Sequence, residues 1–147
     1  MIFSRHSLLA IAAVVDIAMH ARPSPVAAKA LAARHNLPPR HLETLLQGLV
    51  RANILKGVRG PRGGYELARE RRRISAGDIV RAVMDDAASI DSGPDSALLK
   101  DVISPMVEEA SKAFLGALDA ISVNDMCERA GGRSKPGGVP AGADFTI

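Results

Sequence analysis

The feature that most limits the fold of this chain is a glycine-rich tip, Gly60–Pro61–Arg62–Gly63–Gly64. It lies between two short β-prone runs, Ile54–Arg59 and Tyr65–Ala68. Runs of that kind around a Gly/Pro tip read as a β-hairpin. Arg59 and Arg62 then stand at its turn.

Three helical patterns precede the hairpin. The first runs from about Ser4 to His20, with Leu8, Ile11, Ala12, Val15 and Met19 expected on one apolar stripe. The breaker segment Arg22–Pro23–Ser24–Pro25 ends it. Ser24 as N-cap and Pro25 at the first helical position predict a second helix from Val26 to about Arg34, with Leu31 inward. After the turn Asn36–Leu37–Pro38–Pro39, a third helix places Leu42, Leu45, Leu46, Leu49 and Val50 on its apolar face. Its opposite face carries Arg40, His41, Glu43, Thr44, Gln47 and Arg51. Gly48, at a helix-interior cost of ~1 kcal/mol relative to Ala, reads either as tight packing or as close approach to a ligand backbone. Three helices followed by a hairpin are the order of a winged helix-turn-helix, which defines residues 1–84 as one unit.

A fourth helix starts at Ile74–Ser75–Ala76–Gly77–Asp78–Ile79. Ser75 and Asp78 have the spacing of a capping box, and Ile74 can staple onto Ile79. This helix is expected to reach Val83 or Met84. The acidic segment 85–94 reads as a loop, and a long helix from about Ala97 to Ala120 follows. Pro105 inside it predicts a kink or a fresh start at Ser104. Its apolar residues include Leu99, Val102, Ile103, Met106, Val107 and Phe114. A stripe that wide needs a partner, and we read it as a dimerisation helix rather than one buried on its own domain. Ser122 and Asp125 repeat the capping-box spacing before a short last helix ending near Ala130. Residues 131–147 hold 5 of the 13 glycines and no periodicity, and read as a disordered tail. The fold class is thus mainly α: a winged helix-turn-helix with a hairpin wing, an acidic loop and a long C-terminal dimerisation helix within 85–130.

The net charge of +3 averages two unlike halves. Residues 1–83 carry 14 Lys and Arg against 5 Asp and Glu, whereas residues 84–147 carry 5 against 11. The first half suits a polyanion, and its bias to Arg (12 of the 14) suits phosphates and guanine edges. The face of the third helix supplies both kinds of group that DNA needs: Arg40 and Arg51 for phosphate or guanine, Glu43 and Gln47 for base edges, Thr44 for a thymine methyl or phosphate. The glycine tip lacks the Gly-Lys-Ser/Thr ending of a nucleotide-binding loop. Arg71–Arg72–Arg73 reads equally as a phosphate contact or an exposed loop.

Other chemistry finds little support. His6, His20, His35 and His41 show no metal-binding spacing, and no catalytic arrangement is present. Cys127, the single cysteine, excludes an intrachain disulfide and a site built from several thiolates. It reads as a small buried residue, with oxidation to a disulfide or sulfenic acid as its redox alternative. Arg5, His6 and the run to Val15 imitate a signal peptide, but Asp16 interrupts them, and no stretch is apolar enough to span a membrane. A cytoplasmic, soluble protein is expected.

From Pro39–Arg40–His41–Leu42–Glu43–Thr44–Leu45–Leu46 through Val58–Arg59–Gly60–Pro61–Arg62–Gly63–Gly64–Tyr65, and again over Ile74–Val83, the sequence resembles the Rrf-two family of winged-helix regulators. The resemblance covers roughly residues 1–130. It implies a homodimer on an imperfect palindrome, with recognition helices in major grooves and wing arginines in minor grooves. Glu43 matches the family's Leu-Glu pair and Arg59 its wing arginine, while His41 stands where many members have tyrosine. Many members hold an iron–sulfur cluster through three cysteines between the fourth and the dimerisation helix. Here that loop, 85–96, has no thiol, so no such cluster is expected and the effector stays unassigned. The function expected is a homodimeric DNA-binding transcriptional regulator, a repressor; the alternative is a winged-helix module that binds protein without reading DNA.

Overall fold

The computed structural model of the protein describes residues 4–87 and 96–133. Helix α1 (Arg5–His20) begins where the Ser4 side chain accepts the Ser7 N–H at 3.2 Å. Its buried face is Ala10, Ala13, Val14 and Ile17, whereas Leu8 and Met19 are exposed. The stripe expected from periodicity is therefore rotated. The helix is apolar almost all round, and packing against the helices that begin at Ala76 and Val123, which the small alanines allow, chooses the face.

Helix α2 (Ala28–His35) starts later than Ser24 and Pro25 suggest, and no side chain caps it. Val26 is extended instead and exchanges two backbone hydrogen bonds with Tyr65, at 2.9 and 2.8 Å. The β-branched Val26 thus joins the wing as an added bridge, and the helix begins behind it. Asn36 ends α2 in the left-handed conformation at φ 52°.

Helix α3 (Pro39–Arg51) buries Leu42, Leu45, Leu46 and Leu49 as expected. Val50 does not join them: it is exposed, and Gly48 is buried in that row instead. Gly48 is thus a packing glycine. Strands β1 (Leu55–Val58) and β2 (Gly64–Leu67) pair antiparallel with Leu55 opposite Leu67 and Val58 opposite Gly64. Between them the Gly63 N–H donates to the Gly60 carbonyl at 2.9 Å, and Gly60 has φ 119°. A Cβ on Gly64 would collide with the Val26 carbonyl oxygen. That glycine is what lets Val26 approach the hairpin.

A 3₁₀ turn, Arg71–Arg73, leads into α4 (Ala76–Ala87). The Asp78 N–H donates to Ser75 Oγ at 3.0 Å and the Ser75 N–H to Asp78 Oδ2 at 3.1 Å, a complete capping box. The helix runs past Met84 to Ala87, since extending a formed helix costs little. Residues 88–95, most of the expected acidic loop, lie outside the described residues. A π turn, Leu99–Ile103, precedes α5 (Ser104–Asp119). The Ser104 N–H reaches back to the Leu99 carbonyl, and Pro105 sits in the first turn of the new helix, where its missing N–H leaves no gap. The expected fresh start is therefore a π turn.

Helix α6 (Val123–Arg133) opens on the second capping box, with both Ser122–Asp125 hydrogen bonds at 3.0 Å. It runs three residues beyond Ala130; residues 134–147 lie outside the described residues. The two boxes are bonded to each other: the Ala76 N–H donates to the Ile121 carbonyl and the Val123 N–H to that of Ile74, each at 2.8 Å. Nearby, Arg81 grips Asp119 through two hydrogen bonds of 2.6 and 2.9 Å. The core is aliphatic. Ile17, Leu31, Leu46, Leu49, Ile54, Leu55, Ile74 and Ile79 fill it, and Val123 and Cys127 of α6 close it.

Candidate nucleic-acid interface

All six polar residues singled out on α3, Arg40, His41, Glu43, Thr44, Gln47 and Arg51, are exposed on its outer side. The Thr44 hydroxyl donates to the Arg40 carbonyl at 3.4 Å, one turn back. Arg59 and Arg62 are exposed on the wing turn, held away from the core by the β1–β2 pairing. Arg40, Arg59 and Arg62 have no side-chain ion pair among the described residues, so their charge is open to a polyanion. Lys56 differs: its ammonium pairs with Glu66 across the strands at 3.1 Å.

The scaffold behind this face depends on a residue that sequence reasoning passed over. Asp16, on α1 and only 7% exposed, receives Arg34 Nε at 2.9 Å and Nη2 at 2.6 Å, and His35 Nε2 approaches at 2.9 Å. His20 Nδ1 lies 3.3 Å from the same carboxylate. This knot ties α1 to the end of α2, directly before the turn that aims α3. Burial pushes the Asp16 carboxyl up, but the hydrogen bonds from Arg34 and His35 outweigh it, and its pKa lies below the usual range. A lone Asp in an apolar run was the one available signal. Its partners, 18 and 19 residues away, are not visible to periodicity.

Arg69, likewise unmarked by the sequence, donates from Nε to the Asn53 carbonyl at 3.1 Å and from Nη1 to that of Arg73 at 3.3 Å. It fixes the 3₁₀ turn against the end of α3. Within that turn, Arg73 pairs loosely with Glu70 at 3.9 Å. Cys127 lies away from this face, 5% exposed, with its thiol 4.0 Å from the Val15 carbonyl. Burial pushes its pKa up, more than the nearby Arg71 pulls it down. The thiol is thereby kept protonated, in the manner of a small core residue.

The donor set does not fit an iron–sulfur cluster held by thiolates. The sequence has one cysteine, and it is shut beneath α1. Among the described residues no group of three His, Cys, Asp or Glu side chains could hold a metal ion, and no helix is long and apolar enough to cross a membrane.

Three helices, an arginine-tipped hairpin and an exposed polar helix face define a winged helix-turn-helix regulator of transcription. More narrowly, the chain belongs to the Rrf2 family, whose model, described as an iron-dependent transcriptional regulator, matches residues 3–129. A Synechocystis protein named as an HTH-type transcriptional regulator is 35% identical over 116 residues, 78% of this chain and 79% of that one. Among solved structures, IscR of T. potens is 32% identical with a TM-score of 0.69, the match covering 91% of each chain. CymR, the global cysteine regulator of B. subtilis, is 26% identical with a TM-score of 0.64, over 86% of this chain and 96% of that one. These relatives are transcriptional regulators, not enzymes.

Proposed function

We propose that the protein is a homodimeric, sequence-specific repressor of the cytoplasm that reads a palindromic operator. On this reading α3 enters the major groove, with Arg40 and Arg51 toward phosphate or guanine, Glu43 and Gln47 toward base edges, Thr44 toward a thymine methyl or phosphate, and His41 beside them bearing on base preference. Arg59 and Arg62 of the wing reach the minor groove. The observation that carries the reading is the exposure of the whole polar face of α3 together with wing arginines that no carboxylate among the described residues neutralises. Residues 1–84 bind DNA, and 85–130 supply the dimer contact.

The dimer is supported by α5. Neither the π turn nor α5 buries a residue fully, and an apolar stripe along them is exposed, with Leu98 62% and Met106 68% accessible beside Val102, Ile103 and Val107. A helix with such a stripe needs a second apolar surface, and the same helix of another copy supplies it isologously. A repressor acts by occupying the operator, which a symmetric dimer does with two half-sites about one helical turn apart. The regulator works without a thiolate-held cluster, so anaerobically purified protein is expected to be colourless; visible absorbance would overturn that part.

The test is the affinity for DNA selected from a random pool, measured by fluorescence anisotropy across a salt series. Affinity falls steeply as salt rises, and Arg59→Ala weakens binding several-fold while lowering the log–log slope by about 1. Salt-independent binding overturns the electrostatic argument. Failure to select any DNA turns the reading toward a protein-binding winged helix.

A further inference from the structure

A cleft of about 940 Å³ opens between the C-terminal end of α1, the β-hairpin and the start of α6. That volume suits a small organic ligand. Its floor is aliphatic, with Ile17, Ala18 and Leu67, and five Lys or Arg side chains stand around it against two carboxylates. The charges do not cancel locally. Lys56 and Glu66 satisfy each other, Glu70 turns to Arg73, and Arg69 is engaged by two carbonyls. Arg71 has the Cys127 thiol as a neighbour. Arg22 and Arg72 have no hydrogen-bond or ion partner among the described residues.

A second observation points the same way. Asn124 lines the cleft with its side chain 9% exposed. One end of its amide donates to Glu128 Oε1 at 3.2 Å, and the other end has no partner among the described residues. Buried amide groups rarely go unpaired. A ligand in the cleft would complete it.

We propose that this cleft binds a small organic anion: its carboxylate or phosphate on Arg22 and Arg72, its aliphatic body on Ile17, Ala18 and Leu67, and a hydroxyl or amino group at Asn124. The cleft touches the end of α1, one turn past Asp16, and both strands of the wing. Occupancy therefore bears on the two parts that aim the DNA-binding groups. The binding itself stands apart from the DNA-binding reading; only its effect on operator affinity rests on it.

The test titrates the full-length, isotope-labelled protein, free of DNA, with inorganic phosphate, butyrate, succinate and glycerol phosphate, following backbone amide resonances. The expected result is saturable binding of at least one carbon-bearing anion, tighter than that of inorganic phosphate, with shifts at Ala18, Leu67 and Asn124. The pair Arg22→Gln and Arg72→Gln weakens it about tenfold or more without changing the melting temperature. Asn124→Ala weakens glycerol phosphate more than butyrate. Absence of saturable shifts with all four probes overturns the proposal, as does binding that survives the double substitution. If no probe binds while the double substitution lowers DNA affinity and the salt slope, the two arginines are DNA phosphate contacts and the proposal falls. A chain that binds an anion but no DNA overturns the proposed function and leaves the cleft standing.

Discussion

Asp16 is tolerated inside the fold because Arg34 neutralises it and Arg34 and His35 hydrogen-bond it, which is the condition for burying a carboxylate at all. Its replacement by Asn is expected to be costly because the charge facing Arg34 is lost and one of the two acceptor oxygens becomes an NH2 group opposed to a donor. Asp16→Asn should lower stability by about 2–4 kcal/mol in urea denaturation. The pH dependence has a definite sign. The folded pKa of Asp16 is depressed, so its contribution is whole above the unfolded value of about 4 and is lost as pH falls through the folded one. Stability measured from pH 6 down to pH 2 should therefore drop less steeply in Asp16→Asn than in the parent chain. Equal slopes would mean that the knot contributes nothing to acid sensitivity.

The wing is the element in which local chemistry and tertiary contact are most closely joined. Gly64→Ala places a methyl against the Val26 carbonyl and should cost about 1–3 kcal/mol. The loss should concentrate in the wing: hydrogen exchange at the Val26 and Tyr65 amides accelerates while α4 stays protected. Uniform loosening of both would show that the bridge is not a separate unit. The contrast between Gly64 and Val26 also marks what could be read from sequence. The hairpin, the α3 face and both capping boxes were legible, since each is written in residues fewer than about ten positions apart. The start of α2 was not, since Ser24 and Pro25 offer a good local cap and only Tyr65, far along the chain, pulls Val26 away. Likewise Gly48 and Val50 both lie on the border of the α3 apolar face, and neighbouring helices rather than periodicity decide which one turns inward. The exposed site residues were the easier part: a polar face opposite a leucine row needs no tertiary knowledge to locate.

At the scale of the whole molecule, the charge division noted at the outset acquires a layout. Arg40, Arg51, Arg59 and Arg62 stand exposed on α3 and the wing. Among the described residues, Asp101, Glu108 and Glu109 stand exposed along the π turn and α5. Met106→Asp puts a charge into the exposed stripe of α5 and should convert the proposed dimer to monomers in analytical ultracentrifugation, with circular dichroism unchanged. Operator affinity should fall at least tenfold in the same variant, because a single half-site loses the linkage to its twin. A monomeric parent chain, or a Met106→Asp dimer, would remove α5 from the interface.

The joined capping boxes carry a consequence for biosynthesis. Ile74 and Ala76 find their backbone partners in residues 121 and 123, and Cys127 covers Val15. Helix α1 is therefore covered by a helix whose Cys127 lies 112 residues further along the chain than Val15. A nascent chain that has already exposed α3 and the wing still lacks the piece that closes its core. Docking of α6 therefore comes after α1 to α4 have been made, and a message cut short before it would yield a chain with its α3 face present but α1 uncovered.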